Sequence, residues 1–180
     1  MSKPTEAINI LGKATYLKTF TYSDICGEYL EWLNNKSLMA FSNQRFHEHS
    51  RASCEDYIRS FERSPSLFMG IYLKESNQLV GTISAHLALH HRTADLGILI
   101  GSPSAKGKGL GVDAWCAMMD FLFRDKSIRK ITAGTLSCNK PMIRVAENSG
   151  MELEAIRKEQ ELVEDKPYDM LYFAKFSAFL

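Results

Sequence analysis

The chain has 180 residues and a mass of 20.4 kDa, with 22 Lys and Arg against 21 Asp and Glu. Its 45% hydrophobic, 11% aromatic and 24% charged residues fit a single globular domain, long enough to bury roughly 70% of the surface its unfolded chain exposes. Eleven Gly and five Pro are too few for a collagen-like or linker protein, and a net charge of +1 argues against nucleic-acid binding through bulk electrostatics.

Residues 14–20 alternate and predict a first strand. Residues 24–35 predict a helix with Ser23 as N-cap and Ile25, Tyr29, Leu30 and Leu33 near one face, ended by Asn34-Asn35. Ser53-x-x-Asp56 has the form of a capping box, and Cys54, Tyr57, Ile58 and Phe61 recur at helical spacing. Residues 67–73, 79–89 and 94–101 predict three strands joined by polar turns, hence an antiparallel meander. Residues 102–111 are a loop of Gly and small residues. The helix after it carries Val112, Trp115, Cys116, Met119, Leu122 and Phe123, the best amphipathic stripe in the chain. A buried strand over 130–136 and a helix over 139–149, stopped by Gly150, follow. Two strands, 151–157 and 170–176, flank a solvated hairpin over 157–166. The order β-α-α-β-β-β-α-β-α-β-β makes one mixed α/β or α+β domain.

Cys26, Cys54, Cys116 and Cys138 form no C-x-x-C pair and read as reduced thiols. The first residues show no apolar leader, and the greasiest stretches, 96–100 and 114–123, fall short of the ~20 residues a membrane span needs. The expectation is a cytoplasmic protein without a membrane partner. His47-x-His49 and His90-His91 have no second ligand pair at matching spacing, so no metal is expected.

The segment Lys106-Gly107-Lys108-Gly109-Leu110-Gly111 carries the most information. It follows a strand and opens a helix, so its glycines let a ligand approach the backbone and the helix-start amides suit a phosphate. A P-loop would need four residues between its first Gly and Gly-Lys-Ser/Thr, but Gly101 to Gly107 leaves five and Gly109 replaces the hydroxyl. A dinucleotide fingerprint would need G-x-G-x-x-G with an acid closing the next strand, which here ends Leu136-Ser137-Cys138.

Lys106-x-x-Gly109-x-Gly111 at this junction resembles the acyl-coenzyme A motif of the GCN5-related N-acetyltransferases (GNAT), with Lys where Arg or Gln is commoner. Asn139-x(4)-Arg144-x(5)-Gly150 resembles the helix that follows in that family, and the element order agrees along nearly the whole chain. Trp32-Leu33-Asn34-Asn35 and Asp95-x-Gly97 resemble the ribosomal-protein-alanine acetyltransferase-like branch and its amino-sugar relatives.

The resemblance implies a mostly antiparallel twisted sheet with a splayed parallel pair, and acetyl-CoA as donor. The backbone of Ile98, Leu99 and Ile100 would pair with the pantetheine arm, and amides from Gly107 through Lys108, Gly109 and Leu110 to Gly111 would hold the pyrophosphate, beside the charges of Lys106 and Lys108. Asn139 would bond the pantetheine or cap its helix; Arg144 would reach cofactor phosphate or lie on a solvated face.

An amine would attack the thioester, with the Leu99 amide stabilising the oxygen and Asp95 acting as base unless it pairs with Arg92; His86 is the second candidate. Many family members place a thiolate-protonating Tyr where this chain has Ala146, and some place Ser where it has Met142. Either solvent or another residue such as Tyr168 or Tyr172 would then fill the role, or the mechanism would be a weak one. Gln44, Arg45, His47 and His49 fall where the family faces its acceptor and would either recognise an anionic one, such as a nucleotide-linked sugar, or form an ordinary polar loop. The acceptor expected is an amino sugar (nucleotide-linked or not) or a protein N-terminus. The alternatives are a catalytically silent acyl-CoA sensor and a nucleotide binder using the same loop. Nucleic acid is not expected as a partner, and a homodimer is left open.

Overall fold

The computed structural model describes residues 8–178. In chain order the elements are β1 (Asn9–Leu11), β2 (Thr15–Thr19), α1 (Gly27–Asn34), α2 (Arg51–Glu62), β3 (Leu67–Leu73), β4 (Leu79–Ala88), β5 (Thr93–Ile100), α3 (Leu110–Arg124), β6 (Lys130–Leu136), α4 (Lys140–Asn148), β7 (Glu152–Val163) and β8 (Lys166–Phe176). The strands form one sheet in the order β1-β2-β3-β4-β5-β6-β8-β7. All neighbours are antiparallel except β5 and β6, which the α3 crossover joins in parallel. The expected mixed domain with one parallel pair is the fold observed.

Strand alternation sends side chains to two helical layers. On one face, Leu17, Met69, Ile71, Val80, Ile83 and Ile131 pack with Trp115, Met118, Met119 and Leu122 of α3. On the other, Phe20 and Phe68 meet Ile25, Tyr29 and Trp32, and Cys54, Ile58 and Phe61 of α2. Of the stripe read in α3, Trp115, Met119, Leu122 and Phe123 are buried, joined by Ala114, Ala117 and Met118, while Val112 and Cys116 are half-buried at its edges.

Four local expectations are corrected. The short strand β1 precedes the first expected strand. Residues 22–24 form a 3-10 turn, because Asp24 folds back to accept from the Thr21 N–H and hydroxyl, both at 2.7 Å. The helix therefore starts later, at Gly27 with Cys26 rather than Ser23 at its N-cap. The cap of α2 is Ser50: its hydroxyl accepts from the Ser53 amide at 3.2 Å, and the Ser53 hydroxyl accepts from the Ser50 amide at 2.9 Å. Finally, 157–166 is mostly strand. Glu164 and Asp165, both left-handed at φ 49° and 61°, close a two-residue turn between Val163 and Lys166. Its charges still face solvent, which is why alternation was invisible there.

A long-range tie fixes the start of α3. The Asp113 carboxylate accepts from the amides of Lys13 (2.7 Å), Ala14 (3.0 Å) and Thr15 (2.8 Å) and from the Thr15 hydroxyl (2.7 Å), pinning the β1–β2 turn to the helix. Desolvation pushes this carboxyl up, but the hydrogen bonds from Lys13, Thr15 and Ala14 outweigh it and hold its pKa below the usual range. Stabilisation from such a group is complete above its unfolded pKa and is lost as pH falls through the lower folded value. Asp113→Ala should cost about 1–3 kcal/mol at neutral pH. The gap from wild type in urea midpoint should narrow once pH drops below about 4; a gap constant with pH would remove the carboxylate from the account.

Trp32 lies flat against Gly101 at the end of β5: a Cβ there would sit 1.9 Å from the indole ring. Gly101→Ala must push α1 outward, an overpacking cost of about 1–3 kcal/mol. At about 2–4 °C per kcal/mol for a chain of this size, calorimetry should show the fall in Tm, and an unchanged Tm would contradict the packing.

Candidate active site

The parallel pairing of β5 and β6 lasts only three steps, Thr93–Lys130, Ala94–Ile131 and Asp95–Thr132. Beyond it the strands part, and a cleft of about 1630 Å³ opens between them and the helices. The backbone orientation along β5 is fixed by two contacts. The Thr132 hydroxyl meets the Ala94 carbonyl on the β6 side at 3.4 Å, whereas the Gly101 amide donates to Val80 of β4 at 3.0 Å. By the two-residue period, Leu96, Ile98 and Ile100 turn their N–H and C=O into the gap, and Leu99 turns toward β4. Consistent with this, the Leu99 carbonyl occupies the place where a Cβ on Gly81 would lie, 2.1 Å away. Leu99 itself lines the cleft with Ile98 and Ile100, and by this alternation its amide turns toward β4 while theirs turn into the gap.

The glycine loop forms the cleft's end. Gly107 and Gly109 both adopt φ +73°, where nothing else crowds the backbone but where other L-residues are strained. Gly109 is the N-cap of α3 and offers no side chain, so the amides of the first turn, including Leu110 and Gly111, are left uncapped at the positive end of the helix dipole. Lys106 and Arg144 line the same cleft. Uncapped amides, two cations and strand amides without a partner strand fit a pyrophosphate carrying a long amide-bearing arm. Lys108 is turned away, beside Lys74 and Leu73 in a smaller hollow of about 200 Å³.

Asn139 caps α4. Its Oδ1 accepts from the Met142 amide at 3.3 Å and its Nδ2 donates to the Thr135 hydroxyl at 3.0 Å. Asp95 does not line the cleft. It sits at the last paired step, exposed, accepting from the Thr132 hydroxyl at 2.7 Å, so the alternative partner is Thr132 and not Arg92. His86 is also outside the cleft, its ring 5.2 Å from Phe61. Ala146 is fully buried in the core, while Met142 lines the cleft. Tyr168 pairs with Glu161 in the hairpin, and the Tyr172 ring holds the Arg157 guanidinium at 5.2 Å; neither lines the cleft.

The facing wall is built by α1 and the connection to α2. Asn34 grips that connection twice, accepting from the His49 amide at 2.9 Å and donating to its carbonyl at 2.8 Å, and Asn35 accepts from Leu38 at 3.0 Å. Arg45 is a strut rather than a lining residue. It donates to the carbonyls of Ser42 and Leu162, both at 2.9 Å, and so ties this loop to the β7 tip. Gln44, His47 and His49 do line the cleft, as do Glu28, Glu31 and Glu48, which the sequence reading did not single out. Scattered single carboxylates carry no motif; only the fold collects them. Tyr57 also lines the cleft, and burial pushes its phenol pKa up. Among the described residues, no cluster of three or more His, Cys, Asp or Glu is placed to hold a metal ion, and no helix is long and apolar enough to cross a membrane.

Comparison with known proteins agrees with this geometry. The family described as Acetyltransferase (GNAT) domain matches residues 15–152. A curated relative, the probable N-acetyltransferase YjcK of Bacillus subtilis (strain 168), is 23% identical over 155 residues, covering 82% of this chain and 85% of its own. Among solved structures, RimL, a ribosomal L7/L12 alpha-N-protein acetyltransferase in complex with coenzyme A, superposes with a TM-score of 0.82 at 17% identity, covering 94% of this chain and 98% of that one. A spermidine N-acetyltransferase from Vibrio cholerae, with coenzyme A and spermine, gives 0.80 at 18% identity over 92% and 96%. The motif, the parted strands and a family match over most of the chain lead to one statement: the chain belongs to the GNAT family and is an acyltransferase of the N-acetyltransferase class.

Proposed function

We propose that the protein transfers the acetyl group of acetyl-CoA to a cationic primary amine without phosphate groups, foremost the α-amine of a protein N-terminus. One observation carries this choice. Among the described lining residues, the wall made by α1 and its connection to α2 bears Glu28, Glu31 and Glu48 and neither Lys nor Arg, whereas Lys106 and Arg144 stand on the opposite wall. The anionic donor and a cationic acceptor thus each meet opposite charge. A nucleotide-linked sugar would bring phosphate against three carboxylates, so the sugar-nucleotide acceptor is disfavoured.

Among the described lining residues β5 offers no carboxylate to act as base, which favours an α-amine in particular. An amine of pKa ~8 is neutral in roughly a tenth of molecules at neutral pH, against fewer than about one in a thousand for a lysine-like amine near 10.4. An α-amine therefore needs little help from a dedicated base. The relatives named for a protein N-terminus and for spermidine mark the two cationic acceptor types to compare.

Acetyl-CoA supplies the acetyl group as a thioester. Backbone amides at the start of α3, with Lys106 and Arg144, hold its pyrophosphate end, and the β5 backbone at Ile98 and Ile100 aligns its arm. The Ile98 amide takes the charge that develops on the thioester oxygen during attack. Asn139 orders the start of α4 beside that arm.

Thiol release with acetyl-CoA should be fastest on peptides with a free N-terminal amine, slower on spermidine and absent on a nucleotide-linked amino sugar. Preference for the sugar nucleotide would overturn the acceptor assignment, and tight coenzyme A binding without turnover on any amine would identify a silent binder. Gly109→Asp places a carboxylate in the anion cradle at a left-handed position. Calorimetry should show coenzyme A affinity reduced at least about tenfold with the fold retained by circular dichroism; unchanged affinity would remove the loop from the site.

A further inference from the structure

We infer that the Thr135 hydroxyl is the hydrogen-bond donor to the departing coenzyme A sulfur, a role resting on the N-acetyltransferase reading above. The family's usual thiolate-facing Tyr position holds Ala146, which is fully buried in the core, and the alternative Ser position holds Met142, which has no proton to give. Thr135 is 6% exposed yet lines the cleft. Its register is telling. Counting on from the last paired step, Asp95–Thr132, Ile98 on β5 and Thr135 on β6 each lie three residues further along, one on either bank of the gap. Thr135 also carries the only hydroxyl among the described lining residues of β6 and α4.

The hydroxyl's polarity is set by its neighbour. The Met142 amide holds Asn139 Oδ1, which turns Asn139 Nδ2 toward Thr135 Oγ1 as a donor. The oxygen accepts that bond, and among the described residues its own proton meets no acceptor. A buried hydroxyl in this state has one unmet donor, directed away from Asn139. In the transfer, the amine nitrogen forms the new C–N bond, the C–S bond breaks with its electron pair passing to sulfur, and the extra proton on nitrogen leaves to water. Thr135 O–H holds the sulfur anion until water protonates it. A threonine hydroxyl is too weak an acid to give up its proton outright, so its part is donation and not protonation.

Thr135→Val keeps shape and strand preference while deleting the donor, and Thr135→Ser restores it. In the full-length protein, Val should lower kcat on the best amine about 10- to 100-fold, the size of one hydrogen bond to a charged group, with the KM for acetyl-CoA little changed; Ser should recover most of the loss. Ultraviolet titration of bound coenzyme A gives a readout independent of turnover. Its thiolate should appear at lower pH on wild type than on Thr135→Val. Equal kcat and equal thiol titration in wild type and Val would overturn the inference while leaving the acetyltransferase reading intact. Failure of the wild type to bind coenzyme A would overturn both.

Discussion

Everything at the site follows from where β5 and β6 stop pairing. Buried backbone N–H and C=O groups almost always have partners, so two strands in the middle of a sheet part only if something else meets them. Here β4 on one side and β8 on the other keep both strands in place after Asp95 and Thr132 have made their last step. The gap is thereby held open by the rest of the sheet rather than by its own walls. Because the strands are parallel, the helices that follow them begin at the same end, and both the uncapped start of α3 and the Asn139-capped start of α4 point their dipoles toward the opening. Uncapped helix-start amides and a groove of unpaired strand backbone thus arise at one place on a protein whose net charge is only +1.

The opposite wall has no such symmetry and is assembled piece by piece. Trp32 seats α1 on Gly101, Asn34 and Asn35 clamp the connection, and Arg45 joins that connection to the β7 tip. Trp32, Asn34 and Asn35 thus hold the scaffold of this wall, leaving Glu28, Glu31 and Glu48, with Gln44, His47 and His49, to line the cleft.

What the sequence disclosed tracks how local the determining physics is. The α3 stripe, the glycine loop and Asn139 as a cap were legible because helix periodicity and turn chemistry act within a few residues. The start of α1 was not, since Asp24 bonds backward to Thr21 instead of opening a helix, and Ser50 and Ser53 exchange bonds that either serine could have made with other partners. The side to which Leu99 presents its amide depends on its register with Thr82 in β4, a fact of pairing that no single strand records. The same holds for Asp95, whose partner Thr132 is 37 residues away, and for the carboxylates of the acceptor wall.

The position of β8 sets the order in which this molecule can be assembled. It lies between β6 and β7, although β7 precedes it in the chain. As the chain is synthesised, β6 emerges with β5 as its only neighbour, and for only three steps. Until residues 166–176 arrive, β6 remains an edge strand, and β7 has no place in the sheet. The β6 wall of the cleft is therefore paired on its outer side only once the last strand is in place. A nascent chain halted before that point would display both an open groove and an unpaired strand baring Ile131, Ala133 and Leu136, the combination that invites association with other chains.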